Sequence, residues 1–399
     1  VNSAAGVTFN STIGTDIGTL TVTNSGGVTF SGAVSATTVT LTNTTGTIAF
    51  NGALTATTLN TAAQAYNVGL NATSGTITNA VTFSNTGTLA LGASGGTLAF
   101  TGGITATAPS TVTVNGTLTA AGTGVINLGT VSVASNSTIG GTSTGQITLG
   151  ATTLADGVTL TLGTGIANVI SLSSVSGTAS GTASNLTINT TGAVTASGDI
   201  GTDIGTFTLT NSGGATFSGA VSATTVTLTN TTGTIALNGG LTATTLNTAA
   251  VAYNVSIVGS SNSVTNAVTF SNTGTLALGN GGDTLAFAGG ITATAPSAVT
   301  VNGTVSAAGT GVITLGDTNT AVSVTGDSTV GGTSTGQITF GAITISDGKT
   351  LTVGGGASTP ISLTTVSGVA SGTASNFTIN TLGAVTISGA VGTDIGTLT

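Results

Sequence analysis

The side chains that could carry out acid–base or metal chemistry are few in this chain and widely spaced. The 399 residues include nine acidic side chains, one Lys or Arg, and no His or Cys. Every acid is Asp, and the single base is Lys349. The usual general bases, thiolate nucleophiles and zinc ligands are therefore missing from the sequence. We expect no enzyme activity, no catalytic residue, no metal site and no cofactor.

One acidic motif nevertheless recurs. The hexapeptide IGTDIG occurs twice and VGTDIG once, which places Asp16, Asp203 and Asp394 at equivalent positions. A recurring carboxylate could hold a cation or accept hydrogen bonds from free backbone N–H groups, and a turn or corner role is the favoured interpretation. The segment GNGGDTLAF (279–287) is similar to calcium-binding Gly/Asp nonapeptides, but its counterpart at 92–100 has no Asp, so a turn is favoured there too.

The charge balance limits the partners. A formal charge of −8 with one basic residue offers no counter-charge for phosphates, so we expect no nucleic acid binding. Mean hydropathy is +0.53, but Thr, Ser, Gly or Asn interrupts every apolar stretch before about 18 residues. The sequence therefore predicts no membrane insertion.

Apolar residues alternate with Thr along most of the chain. Segments such as GTLTVT (18–23), STVTVNG (110–116) and VTLTLG (158–163) place an apolar residue at every second position. This period of two is typical of strands with one buried face, and Val, Ile and Thr favour such strands. No segment has the spacing or composition of a helix, so we expect an all-β protein with no helix.

A short repeat indicates how these strands are arranged. GGVTFSGAV (26–34), GTIAFNGAL (46–54) and GTLAFTGGI (96–104) share one pattern of turn, strand and glycine corner. Repeats of about 16 to 25 residues indicate a solenoid. A β-sandwich would not require the same pattern in successive units, whereas stacked parallel coils do, because like side chains lie above one another. We predict a parallel β-helix, or β-solenoid, of roughly 20 coils.

A longer repeat accompanies the short one. TNAVTFSNTGTLALG occurs at 78–92 and again at 265–279. The offset is 187 residues (203 − 16) early in the repeat and 191 (394 − 203) at its end, with four extra residues near 317–322, where a surface loop is expected. The predicted organisation of one continuous solenoid is the end of a preceding block, a first block, a second block and the start of a third: 1–12, 13–199, 200–390 and 391–399.

The repeat style of TVTLTNTTGTIAFNGALTATTLN (38–60), which runs over the whole chain, resembles that of large secreted bacterial β-solenoid proteins. These include filamentous haemagglutinin-like adhesins, autotransporter passengers and related surface or matrix repeats. The resemblance implies a right-handed, extracellular or cell-surface parallel β-helix that serves as a stalk, a filament or an adhesive surface.

These observations predict a secreted structural protein that forms an extracellular filament, sheath or matrix fibre. We expect self-association into a homopolymer, with other cell-surface or matrix components as a second class of partner. The alternative is the stalk of a surface adhesin whose binding domain lies outside this segment. Two further hypotheses lack the pattern they require. A polysaccharide-cleaving enzyme needs clustered acids, whereas the nine Asp are scattered. An ice-binding protein needs flat ladders of Thr, whereas Thr is scattered over most strands as the commonest outward residue.

Overall fold

Strands make up the regular structure of the protein. The computed structural model describes residues 1–370 and 372–399, which form 44 β-strands and no helix. The prediction of an all-β protein is confirmed. Alternation of Thr with aliphatic residues produces alternating exposure along most strands, as in Thr111–Ala120, because successive side chains point to opposite faces.

The chain divides into two compact units. Unit 1 comprises Val1–Gly198 with Thr202–Ile204, and unit 2 comprises Asp199–Gly201 with Gly205–Thr399. The strands of unit 1 are β1 (Asn2–Ser3), β2 (Val7–Phe9), β3 (Thr19–Ser25), β4 (Val28–Phe30), β5 (Val34–Thr44), β6 (Thr47–Phe50), β7 (Leu54–Thr61), β8 (Asn67–Leu70), β9 (Ser74–Ile77), β10 (Val81–Thr82), β11 (Thr88–Leu91), β12 (Thr97–Phe100), β13 (Gly103–Ala106), β14 (Thr111–Ala120), β15 (Val125–Leu128), β16 (Val131–Gly141), β17 (Ile147–Leu154), β18 (Thr159–Leu162), β19 (Ile170–Gly177), β20 (Ser184–Asn189) and β21 (Val194–Ala196).

Apart from Ile204, the first residue of β23, the remaining strands lie in unit 2. They are β22 (Ile200–Gly201), β23 (Ile204–Ser212), β24 (Ala215–Phe217), β25 (Val221–Thr231), β26 (Thr234–Leu237), β27 (Leu241–Thr248), β28 (Asn254–Ile257), β29 (Ser261–Val264), β30 (Val268–Thr269), β31 (Thr275–Phe287), β32 (Gly290–Ala293), β33 (Ala298–Ala307), β34 (Val312–Leu315), β35 (Ala321–Val324), β36 (Ser328–Gly332), β37 (Ile338–Phe340), β38 (Ile343–Ile345), β39 (Thr350–Val353), β40 (Ile361–Leu363), β41 (Val366–Gly368), β42 (Ser375–Ile379), β43 (Val385–Ile387) and β44 (Ile395–Leu398).

Each unit is a parallel β-solenoid in which a coil contributes one strand segment to each of three ladders. A long strand such as β14 serves two ladders, bending between Val114 and Gly116. In unit 1, ladder 1 runs through β8, β11 and the first half of β14, ladder 2 through β9, β12 and the second half of β14, and ladder 3 through β10, β13 and β15. In unit 2, the corresponding ladders run through β28, β31 and β33, through β29, β31 and β33, and through β30, β32 and β34.

The predicted parallel stacking and coil length are confirmed. Partners such as Val112 and Val131, or Leu160 and Leu186, show that one coil takes 19 to 26 residues (131 − 112 and 186 − 160). The described residues contain about 19 turns. Three expectations stay predictions. They are the right-handed winding of the β-helix that the resemblance implies, the continuity of the solenoid, and the block boundaries.

Like side chains stack on like in the interior. Phe30 and Phe50 are fully buried on consecutive coils, and their ring centroids lie 4.7 Å apart with the rings nearly parallel. Such columns supply the apolar contact that a single coil lacks, at about 25 cal/mol for each Å² removed from water. A solenoid coil is therefore stable only beside its neighbours.

Glycine occupies corners where two coils come too close for a side chain. Gly103 has φ of +99°, and a Cβ atom there would lie 2.5 Å from the carbonyl oxygen of Val125 on the next coil. Only glycine combines this positive φ with so close an approach.

The predicted insertion is a loop, as expected. In unit 1, β15 ends at Leu128 and β16 begins at Val131, whereas in unit 2, β34 ends at Leu315 and β35 begins at Ala321. The ladders on either side keep their pairing. The extra residues therefore lengthen one corner without altering the coils.

The long repeat does not span a whole number of coils. Ile200, which starts the second predicted block, pairs with Val221 on ladder 2 of unit 2. Val391, which starts the third, pairs with Val366 on ladder 1 of the same unit. Equivalent residues of the second and third copies therefore begin on different faces of unit 2.

Candidate interaction surface

Several aspartate side chains accept hydrogen bonds from backbone N–H groups. The Asp283 side chain accepts a hydrogen bond from the Asn280 N–H at 2.6 Å, and Asp317 accepts from the N–H groups of Asn319 and Thr320. Asp327 accepts from the Thr350 N–H, across to the next coil. Within residues 1–370 and 372–399, no three His, Cys, Asp or Glu residues lie close enough together to hold a metal ion. The expected turn at Asp283 is instead an irregularity within β31, where the register shifts between Leu278 and Asp283 and the carboxylate accepts the Asn280 N–H.

Asp203 and Asp394 occupy a strained corner. Both have positive φ, at 59° and 63°, and each accepts a main-chain hydrogen bond at its carbonyl oxygen, from the N–H of Ser184 and of Ser375 respectively. One carboxylate oxygen of each is buried without a hydrogen-bond partner in the described part of the chain. The predicted corner role is therefore confirmed for these two residues.

Asp16, the third copy, is placed differently. Its φ is not positive and its side chain is exposed. It lines an open groove of about 260 Å³ together with hydroxyl residues such as Thr37 and Thr57 on the following coils, with Ala36 and Ala56 forming the groove floor. The three equivalent aspartates therefore do not share one local structure.

A column of hydroxyl and amide side chains runs along ladder 3 of each unit. Its members face outward at successive coils and are paired in register from coil to coil. We call this column the hydroxyl ladder; it consists of Thr82, Thr105, Asn127, Thr148, Ser171 and Thr195 in unit 1, and of Thr269, Thr292, Thr314, Thr339, Ser362 and Thr386 in unit 2.

A second outward column lies two residues before the first. It is small or apolar except for one Gln in each unit. It consists of Ala80, Val125, Gln146, Val169 and Ala193 in unit 1 and of Ala267, Val312, Gln337, Pro360 and Ala384 in unit 2, with the buried Gly103 and Gly290 at the remaining coil of each. Val125, Val169 and Val312 are among the most exposed large apolar residues, at 43%, 43% and 45%. Together the two columns form what we call the ladder face.

The side chains of the hydroxyl ladder make few internal hydrogen bonds. In unit 1 a long contact of 3.4 Å joins Thr195 to Ser171. In unit 2 none of the six side chains forms a hydrogen bond to another described residue. Each hydroxyl can both donate and accept, so this face offers a row of polar groups that are free to bond outward.

Other hydroxyls have the opposite arrangement. At the corner between ladders 2 and 3, buried or partly buried side chains donate to carbonyl groups of the preceding coil. The Thr190 hydroxyl shares its hydrogen between the carbonyl oxygens of Ile166, at 2.8 Å, and Asn168, at 2.5 Å. We call these side chains the staple column; it consists of Ser143, Asn168 and Thr190 in unit 1 and Ser334, Thr359 and Thr381 in unit 2. They join neighbouring coils.

Two buried tyrosines also join coils. The Tyr66 hydroxyl donates to the Leu41 carbonyl oxygen and accepts from the Ala62 N–H, and Tyr253 repeats this with Leu228 and Ala249. Burial raises the pKa of both phenols above 10.0, opposed in part by the hydrogen bonds from the backbone and from a neighbouring Thr. The two phenols are therefore neutral at ordinary pH. Their rings fill the interior of the solenoid.

Charge lies mostly away from the ladder face. In unit 2, Asp283, Asp327, Asp347 and Lys349 lie at the corner between ladders 1 and 2, the one corner that does not border ladder 3. Asp317 borders ladder 3, but its carboxylate caps its own loop. The ladder face itself contains no charged residue in either unit.

The expectation that Thr is the commonest outward residue on most strands holds, but on ladder 3 the pairing of coils also brings Thr, Ser and Asn into one column. Sequence periodicity identified outward positions, but the pairing of coils of unequal length brings those positions into register. The recurring triplets ITA, ITL and ISL, in which Thr or Ser follows a buried Ile, were the available signal.

No family model, curated protein or solved structure matches the chain. Among the residues that the structure describes, none lies in a helix long and apolar enough to cross a membrane.

Proposed function

We propose that this chain is a structural protein that self-associates into an extracellular filament, sheath or matrix fibre. The observation that supports this most is the uncharged ladder face, present in both units, whose hydroxyls have almost no hydrogen-bond partner among residues 1–370 and 372–399. A low surface charge leaves little electrostatic repulsion between copies. Each coil beneath the ladder face is stabilised by contact with the coils on either side of it. A fibre of this protein would therefore be built from contacts between like structural units.

The composition supports a place outside the cell. The chain has no Cys and no Met, so it offers no side chain for the common thiol and thioether oxidations. Its repeat style resembles that of secreted bacterial surface proteins. Immunogold labelling of intact, unpermeabilised source cells should place the chain on the surface or in surrounding material, and labelling that requires permeabilisation would contradict this location.

Assembly is tested on the purified chain. Sedimentation velocity over a wide concentration range, followed by electron microscopy, should show elongated assemblies that grow with concentration. Fibre diffraction from aligned material should give a spacing near 4.8 Å, the distance between stacked strands. Particles that stay single at every concentration would contradict self-association and favour the alternative, an adhesin stalk whose binding domain lies outside this segment.

A further inference from the structure

We infer that the ladder face is the surface through which two copies of this chain dock side by side. This inference rests on the proposed function and names the surface that it uses. The occupant is a second copy of the same face, and the contact is formed by hydroxyl ladder against hydroxyl ladder.

Self-complementarity is the first argument. Carboxylates only accept hydrogen bonds and ammonium groups only donate them, so a face of either kind repels its own copy. A Thr or Ser hydroxyl does both, so Thr292 and Thr339 in one copy can bond the same residues in another. The adjacent exposed Val312 adds apolar area that an identical face can cover.

Matching periodicity is the second argument. The hydroxyl ladder presents one side chain per coil over six consecutive coils in each unit. A second copy has the same rise, near 4.8 Å per coil, so its ladder can stay in register along the whole contact. A partner without this repeat would meet only a few of the hydroxyls.

Charge placement separates this face from the other two. Ladders 1 and 2 also carry outward Thr and Ser, such as Thr300 and Thr304, but they share the corner that holds Asp283, Asp327 and Asp347. Two copies meeting across that corner would bring like charges together. The ladder face avoids this repulsion because it contains no charged residue.

The size of the face sets the strength of the contact. Six coils at 4.8 Å and a strand of four residues cover roughly 350 Å², whereas a stable interface buries about 800 Å² on each partner. One face alone should therefore bind weakly. Association through this face should therefore appear only at high chain concentration.

The test places charge on the ladder face and compares it with the same charge elsewhere. The face variant of the full chain carries Thr105→Glu, Thr148→Glu, Thr292→Glu and Thr339→Glu. The control variant carries Thr113→Glu, Thr153→Glu, Thr300→Glu and Thr344→Glu, which point outward on ladder 1 and give the same net charge. Circular dichroism and melting curves establish that both are folded.

We expect the face variant to lose side-by-side association at concentrations at least tenfold above the onset for the native chain, whereas the control variant keeps it. A third variant, with Lys at the four face positions, should also stay apart alone but should associate in an equal mixture with the Glu face variant. That rescue requires face-to-face contact and does not occur if either variant is merely misfolded.

The possible failures are distinguishable. If the native chain never associates, the proposed function and this inference both fall. If native and both Glu variants associate alike, or if both variants lose association equally, the ladder face is not the docking surface, while self-association stands. A mixture of Glu and Lys variants that stays apart also overturns the inference. Binding of a polysaccharide, or shaping of ice crystals, that is lost only in the face variant while association persists would assign the face to that occupant.

Discussion

The staple column and the hydroxyl ladder use the same residue types for opposite purposes. Thr190 is fully buried and its single O–H is shared between two carbonyl oxygens of the preceding coil, whereas Thr339 lies partly exposed without a partner in the described chain. A buried hydroxyl costs free energy unless it is hydrogen-bonded, and an exposed one does not. Position in the coil, and not residue type, therefore decides whether a hydroxyl holds the fold or faces outward.

The difference also teaches where substitution is tolerated. The staple position holds Asn168 in unit 1 and Thr359 in unit 2, and both donate to carbonyl oxygens of the preceding coil. The hydroxyl ladder holds Asn127 in unit 1 and Thr314 in unit 2. At the corner a donor is required, whereas on the face a small polar group suffices.

The largest expected effect comes from removing a staple. Thr190→Val keeps the shape but removes the donor to Ile166 and Asn168 and the acceptor for the Gly192 N–H. We expect a loss of about 2–3 kcal/mol in unfolding free energy, because buried carbonyl and N–H groups lose partners. Urea denaturation measures this loss. The matched control Thr148→Val, on the hydroxyl ladder, should change stability by less than about 0.5 kcal/mol; equal losses in the two variants would remove the distinction.

An intermediate effect is expected at the two buried tyrosines. Tyr66→Phe should cost about 1 kcal/mol, since the donor to Leu41 is lost while the Ala62 N–H keeps its own bond to the Leu41 carbonyl. The raised pKa of Tyr66 and Tyr253 also predicts pH dependence. Because the folded pKa lies above the unfolded value of 10.0, this contribution is complete below pH 10 and is lost as pH rises through the folded pKa.

The alkaline loss has its own control. A variant with both Tyr66→Phe and Tyr253→Phe has no titrating phenol, so its unfolding free energy should fall less above pH 10 than that of the native chain. Melting curves recorded between pH 8 and 12 compare the two. An identical alkaline decline in both proteins would mean that the tyrosines do not cause it.

The sequence predicted the architecture better than the surface. Period-two alternation and the repeated glycine pattern were sufficient for stacked parallel coils, since each coil must match its neighbours. Asp203 and Asp394 were placed correctly at corners, where the Ser184 and Ser375 N–H groups donate to their carbonyl oxygens. The triplets that begin with Ile mark the positions of the hydroxyl ladder, but they do not show which positions pair. That pairing depends on the length of each coil, such as the 25 residues from Ile313 to Ile338.

A smaller effect is expected when one staple residue of unit 1 is replaced by the residue at the equivalent position of unit 2. Asn168→Thr installs at the staple position the residue that unit 2 has there. It removes one donated bond, but it also removes the Asn168 side-chain amide oxygen, Oδ1, which is buried without a hydrogen-bond partner among the described residues. These contributions oppose each other, so stability should change by less than about 1 kcal/mol. Asn168→Leu, which has no donor, should be clearly worse in the same melting experiment; similar values would mean that the corner requires only bulk.

The smallest effect is expected at Asp203, whose side chain is neither a staple nor part of the ladder face. Its carboxylate has a buried oxygen without a partner, while the backbone keeps a positive φ that Asn adopts as readily as Asp. Asp203→Asn should therefore stabilise unit 1 slightly, by about 0.5 kcal/mol, because an unpaired charged oxygen is replaced by a neutral amide. Asp317→Asn should act in the opposite direction, since that carboxylate accepts two backbone N–H groups and charge strengthens such bonds. Thermal melts of the two variants side by side measure the sign of each change, and a loss of stability at Asp203 would indicate that its carboxylate has a partner, such as a bound cation, that stabilises the corner.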